Sequence, residues 1–305
     1  MPRTLISVVI NTRNEIRHIA DCIRSVRGFA TEIVVCDMHS EDGTAEAARA
    51  LGARVIDHPV CRFVEPARYA AISAAHHDWV LVVDADERLT PSLAARLRAI
   101  MVEGKHRAVS IAFLTQFAGH WLRHGPSGEL RVVRFFRRQT YFDSFQPSEL
   151  QLHENFKSLR ALPDLVTLDL TTPMLHLAYP SVTGLVLKQI LYADEDAQKR
   201  WQNGEAPGLA RTFRRVIDRA RKALISQRGW RDGLPGWLFA AVMCTYELIS
   251  ATRLAELHAR GRAQEAATAG AAFEPPPALL PRIRPIAPPV AGLPAPAHQM
   301  TFPPA

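Results

Sequence analysis

Cysteine is scarce in this chain of 305 residues: Cys22, Cys36, Cys61 and Cys244 are scattered, and no pair stands at Cys-x-x-Cys spacing. A disulfide framework or a structural zinc site is therefore not expected. No run approaches the roughly twenty uninterrupted apolar residues that a spanning helix needs. A long apolar segment with a small-residue cleavage site is missing near the start, so no secretory signal is expected. The first apolar run is followed by Asn11-Thr12-Arg13-Asn14, not by the Gly-rich phosphate loop that a nucleotidyltransferase would want. No internal repeat is present. Acidic residues are in deficit, with Lys+Arg 37 against Asp+Glu 30 and a formal charge of +7. That balance favours anionic partners: phosphorylated sugars, nucleic acid or an acidic membrane surface. A nucleic-acid groove would want aromatic residues interleaved with basic ones on one exposed face. The Arg-rich segment from Arg211 is instead a helical pattern beside an apolar helix, so no nucleic-acid partner is expected. What is present is ordinary for a globular protein, 48% hydrophobic and 22% charged. Cys36 in an apolar run and Cys22 in a helical pattern read as reduced core thiols, and the expected compartment is the cytosol or the cytosolic face of a membrane.

The first hundred residues alternate short strands with helices. Leu5 to Ile10, Glu32 to Cys36, Ala53 to Ile56 and Trp79 to Val83 are strand-like. Glu15 to Val26, Thr44 to Leu51 and Glu65 to His76 carry helical spacing, and Thr90-Pro91 caps and starts another helix. This rhythm predicts a parallel, doubly wound sheet. Longer strands follow at Arg107 to Gln116 and Glu129 to Phe136. From Ser181 onward the pattern is helical: Val182 to Trp201, Leu209 to Ser226, and Leu234 to Ala259. The expected division is 1–179 for an α/β domain and 180–260 for a C-terminal helical region. Residues 261–305 form a Pro/Ala-rich tail that cannot bury enough surface to offset its ordering entropy. Leu234 to Ala259, apolar, flanked by Trp230 and Trp237 and preceded by Arg211, Arg214, Arg215, Arg219, Arg221, Lys222, Arg228 and Arg231, fits a helix lying in an anionic interface. It fits equally a core helix beside a solvated basic face.

The chemistry centres on Asp84-Ala85-Asp86, where the apolar run Trp79 to Val83 stops on two carboxylates. In an open α/β sheet that edge is where ligands bind, and two hard oxygen donors there suit Mg²⁺ or Mn²⁺ and, through it, a diphosphate. Taken alone, Asp-x-Asp also describes many idle acidic turns.

Together, Val8-Val9-Ile10-Asn11-Thr12-Arg13-Asn14-Glu15, Glu32 to Asp37 with Ser40-Glu41-Asp42-Gly43-Thr44, and Asp84-Ala85-Asp86-Glu87 resemble the inverting family 2 glycosyltransferases. Phe117 to Gly125, Arg134 to Arg138, Leu152-His153-Glu154 and Leu175-His176 narrow the resemblance to the bacterial lipopolysaccharide-core branch, whose members include core glucosyltransferases. The likeness runs from about Ile6 to about Leu257. It implies a GT-A fold, a Rossmann-like nucleotide-binding sheet with helices on both faces, here with a C-terminal helical extension. It also implies transfer of a hexose from a nucleotide-sugar donor, a UDP-sugar by expectation, to a saccharide or lipid-linked acceptor of the cell envelope. By motif position, Thr12, Asn14 and Glu15 would line the nucleotide pocket, Asp37 would meet uracil or ribose, and Asp84 would sit near ribose or metal. Asp86 would bind the ion, joined by His176 unless that histidine is a core residue. Arg68 would add positive charge to the phosphates, although Tyr69 replaces the Asn that usually follows it. Glu154 is the expected base that takes the acceptor's proton, with Glu87 and Glu149 as competitors. Arg134, Arg137 and Arg138 form one basic cluster that binds phosphate or faces water. The rival expectation is a basic nucleic-acid- or membrane-surface-binding protein on a degenerate transferase fold.

Overall fold

The computed structural model describes residues 5–61, 64–145 and 156–268, with side chains through 264. β1 (Ile6–Thr12), α1 (Ile19–Arg27), β2 (Glu32–Asp37), α2 (Thr44–Ala50), β3 (Arg54–Asp57), α3 (Glu65–Ala74) and β4 (Trp79–Asp84) alternate strictly. They are followed by β5 (Glu87–Leu89), α4 (Pro91–Glu103), β6 (Ala108–Phe117), β7 (His120–Leu122) and the single turn α5 (Gly125–Gly128). Then come β8 (Arg131–Arg137), α6 (Arg138–Ser144), α7 (Lys157–Arg160), β9 (Val166–Thr167) and β10 (Met174–Tyr179). Three helices complete the described residues: α8 (Val182–Gln202), α9 (Leu209–Arg221) and α10 (Gly233–Thr268).

The strands form one sheet in the order β3-β2-β1-β4-β8-β6-β10-β5, with β7 and β9 also pairing with β6. The first four are mutually parallel, as the alternating pattern predicts. Beyond them the sheet is mixed: β8 runs antiparallel to both β4 and β6, and β5 antiparallel to β10. β1 and β4 are buried on both faces, which explains their unbroken apolar runs. Val8, Ile10, Leu81 and Val83 meet α1 and α4 in one core layer, while Val9, Val80 and Val82 meet α3 and α6 in the other. Thr90 caps α4 by accepting the Leu93 amide at 3.2 Å. Cys22 and Cys36 are buried free thiols.

A third cluster, Phe117, Leu122, Leu185, Phe239 and Val242, fastens the C-terminal helices to the sheet. α10 packs along α8 with Arg200 Nη1 donating to Ser250 (2.9 Å), and its Glu247 is buried against Arg219. The middle of α10 is thus a packed helix, although by length and composition the segment Gly229–Gln264 is apolar enough to cross a membrane. Two sequence boundaries need correction. α10 continues to Thr268, so 261–268 belong to a helix and not to the tail. α9 ends at Arg221, after which Lys222–Ser226 widens into a π turn.

Candidate functional site

Strand β4 brings Asp84 to the C-terminal rim of the sheet, level with Asn11 on β1, and Thr12 there lies level with Asp37 on β2. Asp84 is heavily engaged. Arg68 Nη2 donates to its two oxygens (2.9 and 2.7 Å), and Arg134 Nη2 donates to Oδ2 at 2.6 Å. The same Arg134 atom reaches Glu87 Oε1 (2.7 Å), while Glu87 Oε2 accepts the Asp84 amide (2.8 Å). Arg134 is 5% exposed and Glu87 1%, so this is an interior network. Burial works against the Asp84 charge, yet Arg134 and Arg68 outweigh it and hold the carboxyl well below its usual range. Burial wins at Glu87, pushing it up to about 7 against the pull of Arg134 and with the Asp84 charge adding to the rise. Both oxygens of Glu87 are committed to this network.

Asp86, one turn further, faces β10. Its carbonyl accepts the Leu177 amide (2.9 Å), and its Oδ2 lies 3.6 Å from His176 Nε2. Burial would raise Asp86 and lower His176. Their mutual contact outweighs it in both, so the carboxyl is lowered and the imidazole raised. His176 Nδ1 is buried without a partner among the described residues. A carboxylate and an imidazole converging in this way fit a divalent ion, with Mn²⁺ suiting the nitrogen donor better than Mg²⁺. No group of three His, Cys, Asp or Glu side chains gathers among the described residues. The remaining coordination would have to come from ligand oxygens and water, as is common for Mg²⁺ held by substrate phosphates.

The loops after β1 and β2 are stitched to each other. Ser40 donates its hydroxyl to Asp37 Oδ1 (2.6 Å) and its amide to Oδ2 (2.8 Å), and its Oγ accepts the Asn14 amide (2.8 Å). Asn14 Oδ1 accepts the Glu41 amide (2.8 Å), the Glu15 amide reaches Thr44 Oγ1 (2.9 Å), and the Ile16 amide reaches Asp42 (3.1 Å). This explains the residue types: Asn14 sits at φ 54, where Asn is tolerated, and Gly43 at φ 88 begins α2. Inside the stitched loops, Asn11 Nδ2 and Oδ1 and Thr12 Oγ1 are buried with no partner in the described chain. Glu15 is pushed up to about 7, first by burial and then by Asp86, with Lys188 opposing.

Thr12, Asn14, Glu15, Asp37, Asp84, Asp86 and His176 therefore share one rim. Arg68 lies there too, turned onto Asp84. The basic cluster expected of Arg134, Arg137 and Arg138 does not exist. Strand alternation and the end of β8 send Arg134 into the site network, Arg137 to Asp78 (2.6 Å) at the opposite rim, and Arg138 over Phe142. Glu154 and Glu149 lie outside the described residues. Sequence reasoning missed Lys188 of α8, whose charge reaches Glu15 and Asp86 and whose ammonium sits 5.4 Å from the Tyr179 ring centroid. No local signal marks it. Arg134 did carry one: a charge inside Val132-Val133-Arg134-Phe135-Phe136 asks for a buried partner.

Residues 7–158 match the family model described as "Glycosyl transferase family 2". An uncharacterized glycosyltransferase of Rickettsia typhi is 26% identical over 262 residues, covering 84% of this chain and 89% of that one. The lipopolysaccharide core biosynthesis glycosyltransferase LpsC of Rhizobium meliloti is 26% identical over 270 residues, covering 85% and 95%. Among solved structures, glucosyl-3-phosphoglycerate synthase from Mycobacterium tuberculosis, in complex with Mn²⁺, UDP-glucose and phosphoglyceric acid, aligns with a TM-score of 0.47 and 19% identity. That alignment covers 62% of this chain and 77% of the other.

Proposed function

The chain belongs to glycosyl transferase family 2, and from that premise we propose that it moves a hexose, with inversion, from a UDP-sugar to a hydroxyl of a cell-envelope glycan or lipid-linked saccharide. The observation that carries this reading is the pairing of two features on one rim. The Asp86–His176 pair stands there beside the unpartnered polar atoms of Asn11 and Thr12. Buried polar groups without partners are rare in folded chains and call for one; a nucleotide supplies the acceptors and donors they lack.

In this reading Asn11 and Thr12 hydrogen-bond the nucleoside, and Asp37 and Asn14 hold the two loops that wall it in. Asp86 and His176 hold the divalent ion, which when bound supplies Lewis-acid stabilisation to a diphosphate leaving group. Lys188 adds a fixed positive charge for the same phosphates. Arg68 and Arg134 keep Asp84 ionised and oriented. Glu154 takes the acceptor's proton from the face opposite the leaving group, and Glu154→Gln is expected to spare donor binding while cutting transfer. A thermal-shift comparison of UDP-, GDP- and CMP-sugars with and without MnCl₂ tests the whole reading. A ligand at a hundred times its Kd adds about 2.7 kcal/mol to stability. A UDP-hexose is expected to raise the melting temperature only with the metal, and Asp86→Ala to abolish that rise. A rise unaffected by Asp86→Ala would remove the metal role.

The proposed site of work is an anionic membrane surface on the cytosolic side, and the supporting observation concerns α9. No residue of that helix is buried, and Leu209, Phe213 and Ile217, four residues apart, are 76%, 56% and 62% exposed. Leu234, Trp237 and Leu238, at the start of α10, are also exposed. Arg211, Arg214 and Arg215 lie off the apolar stripe of α9, the distribution of an interfacial helix. The membrane-facing element of this proposal is therefore α9 with the first turns of α10, since the middle of α10 is spent on α8. Phe213→Ser with Ile217→Ser should leave the fold intact and abolish co-sedimentation with phosphatidylglycerol vesicles; retained sedimentation would sink the surface role.

A further inference from the structure

The C-terminal helices enclose a cavity of about 290 Å³ whose lining includes Tyr179, Gln189, Tyr192, Asp196, Lys199 and Tyr246. One of its walls is shared with the rim just described. Tyr179 ends β10, its ring centroid lies 6.5 Å from that of His176, and Lys188 stands over it. The cavity thus begins where the Asp86–His176 pair ends.

Part of its polar lining is unspent, although Asp196 Oδ2 already accepts from Ser250 and Arg219, which also lines it, is tied to Glu247. Gln189 is 3% exposed, yet its amide hydrogen-bonds no other described residue. A buried amide with two donors and an acceptor facing a cavity marks a place for a polar ligand. The hydroxyls of Tyr179 and Tyr246 are likewise without hydrogen-bond partners among the described residues. Burial pushes both phenols up to about 12, so they remain neutral donors.

The chemistry of the lining selects its occupant. Asp196 and Lys199 bring opposite charges, which disfavours a ligand of one sign. Three tyrosine rings offer flat apolar faces, and the Gln189 amide with the hydroxyls of Tyr179 and Tyr246 offers directional bonds to vicinal hydroxyls. The volume lies at the lower end of ligand pockets, about 300–1,000 Å³, room for one sugar ring and not for a nucleotide. We propose that this cavity is the acceptor subsite, binding a neutral pyranose ring between α8, α9 and α10 and presenting the saccharide across Tyr179 to the sheet rim. The proposal rests on the transferase reading above and adds to it the class and place of the acceptor.

Ligand-observed saturation-transfer NMR on the full chain tests it, with the methyl α-pyranosides of glucose, galactose and mannose as probes and UDP with MgCl₂ in the same tube. At least one glycoside is expected to receive saturation. Tyr246→Phe, which keeps the ring under Arg219, and the volume-conserving Gln189→Met should each cut that signal about fivefold, roughly the share of one net hydrogen bond. UDP saturation and the melting temperature should stay unchanged. A glycoside signal equal in both variants would overturn the subsite, as would silence from all three glycosides while UDP responds. Glycoside binding that behaves as expected while UDP is silent would uphold the cavity and sink the donor reading.

Discussion

The two rims of the sheet carry similar residues and use them in opposite ways. At the N-terminal rim, Glu32 accepts from Ser7 (2.6 Å), from Arg54 (2.7 Å) and from the His76 amide (3.0 Å). Ser7 in turn accepts the His77 amide at 3.1 Å. Every polar atom named there has a partner. At the C-terminal rim, Arg134, Asp84 and Glu87 also bond one another, but Asn11, Thr12, Thr115 and His176 leave buried atoms with no partner among the described residues. Carboxylates and arginines mark both ends; what separates a joint from a site is the unspent hydrogen-bonding capacity.

Strand β8 offers the strongest way to break this contrast, because two of its arginines serve opposite rims. Arg134→Ala would leave Glu87 buried without its cation and Asp84 with Arg68 alone, and should cost about 3–5 kcal/mol in urea denaturation. Arg137, 38% exposed beside Asp78, should cost about 1 kcal/mol or less on replacement by alanine. Equal losses from the two variants would erase the distinction between the rims.

Glu32 comes next. Burial works to raise its carboxyl, but the bonds from Ser7, Arg54 and the His76 amide outweigh it and bring it down to about 2 from an ordinary 4.5. A depressed carboxyl contributes stability that is complete above its unfolded value and is lost as pH falls through the folded one. The shift corresponds to about 3 kcal/mol. Glu32→Gln should therefore lose about 2–3 kcal/mol at pH 7, with the gap from the parent chain narrowing steadily between pH 4.5 and pH 2. A gap independent of pH would mean that the stabilisation is packing and not charge.

Much of this contrast was legible in the chain itself, and the remainder failed for identifiable reasons. The parallel strands follow from period and punctuation: unbroken apolar runs, each closing on Asp, Asn or Thr at the ligand edge. Ser40 to Thr44 reads as turn chemistry, and the structure spends it on the Asn14 loop. Arg134, Arg137 and Arg138 read as one patch because they are close in sequence, whereas strand alternation and the end of β8 scatter them. Lys188 was invisible, since α8 reaches the rim only through the packing of Leu185 on Phe117 and Phe239. Glu87 looked like a free acid because the three-residue β5 is too short to announce the strand that buries it. The interfacial stripe was sought on the more apolar α10, yet apolarity there is consumed by α8; it is the charge-rich α9, with a mean hydropathy too low to attract notice, that leaves its apolar side chains outside.

The smallest effect gives the sharpest contrast, because its sign should reverse between the rims. Ser7 is fully buried and bonded to a charged partner, so Ser7→Ala should destabilise by about 1.5–3 kcal/mol. Thr12 is equally buried at the other end of the same strand, but its hydroxyl has no partner in the described chain. Valine keeps the β-branched shape that suits a strand and removes an oxygen whose burial is uncompensated. Thr12→Val should then be neutral or stabilising by up to about 1 kcal/mol in the free protein while weakening UDP binding. A hydroxyl retained at a cost to stability is explained by what it binds. If Thr12→Val instead destabilises as Ser7→Ala does and leaves UDP binding unchanged, that hydroxyl belongs to the framework, and the rim loses one of the features that sets it apart.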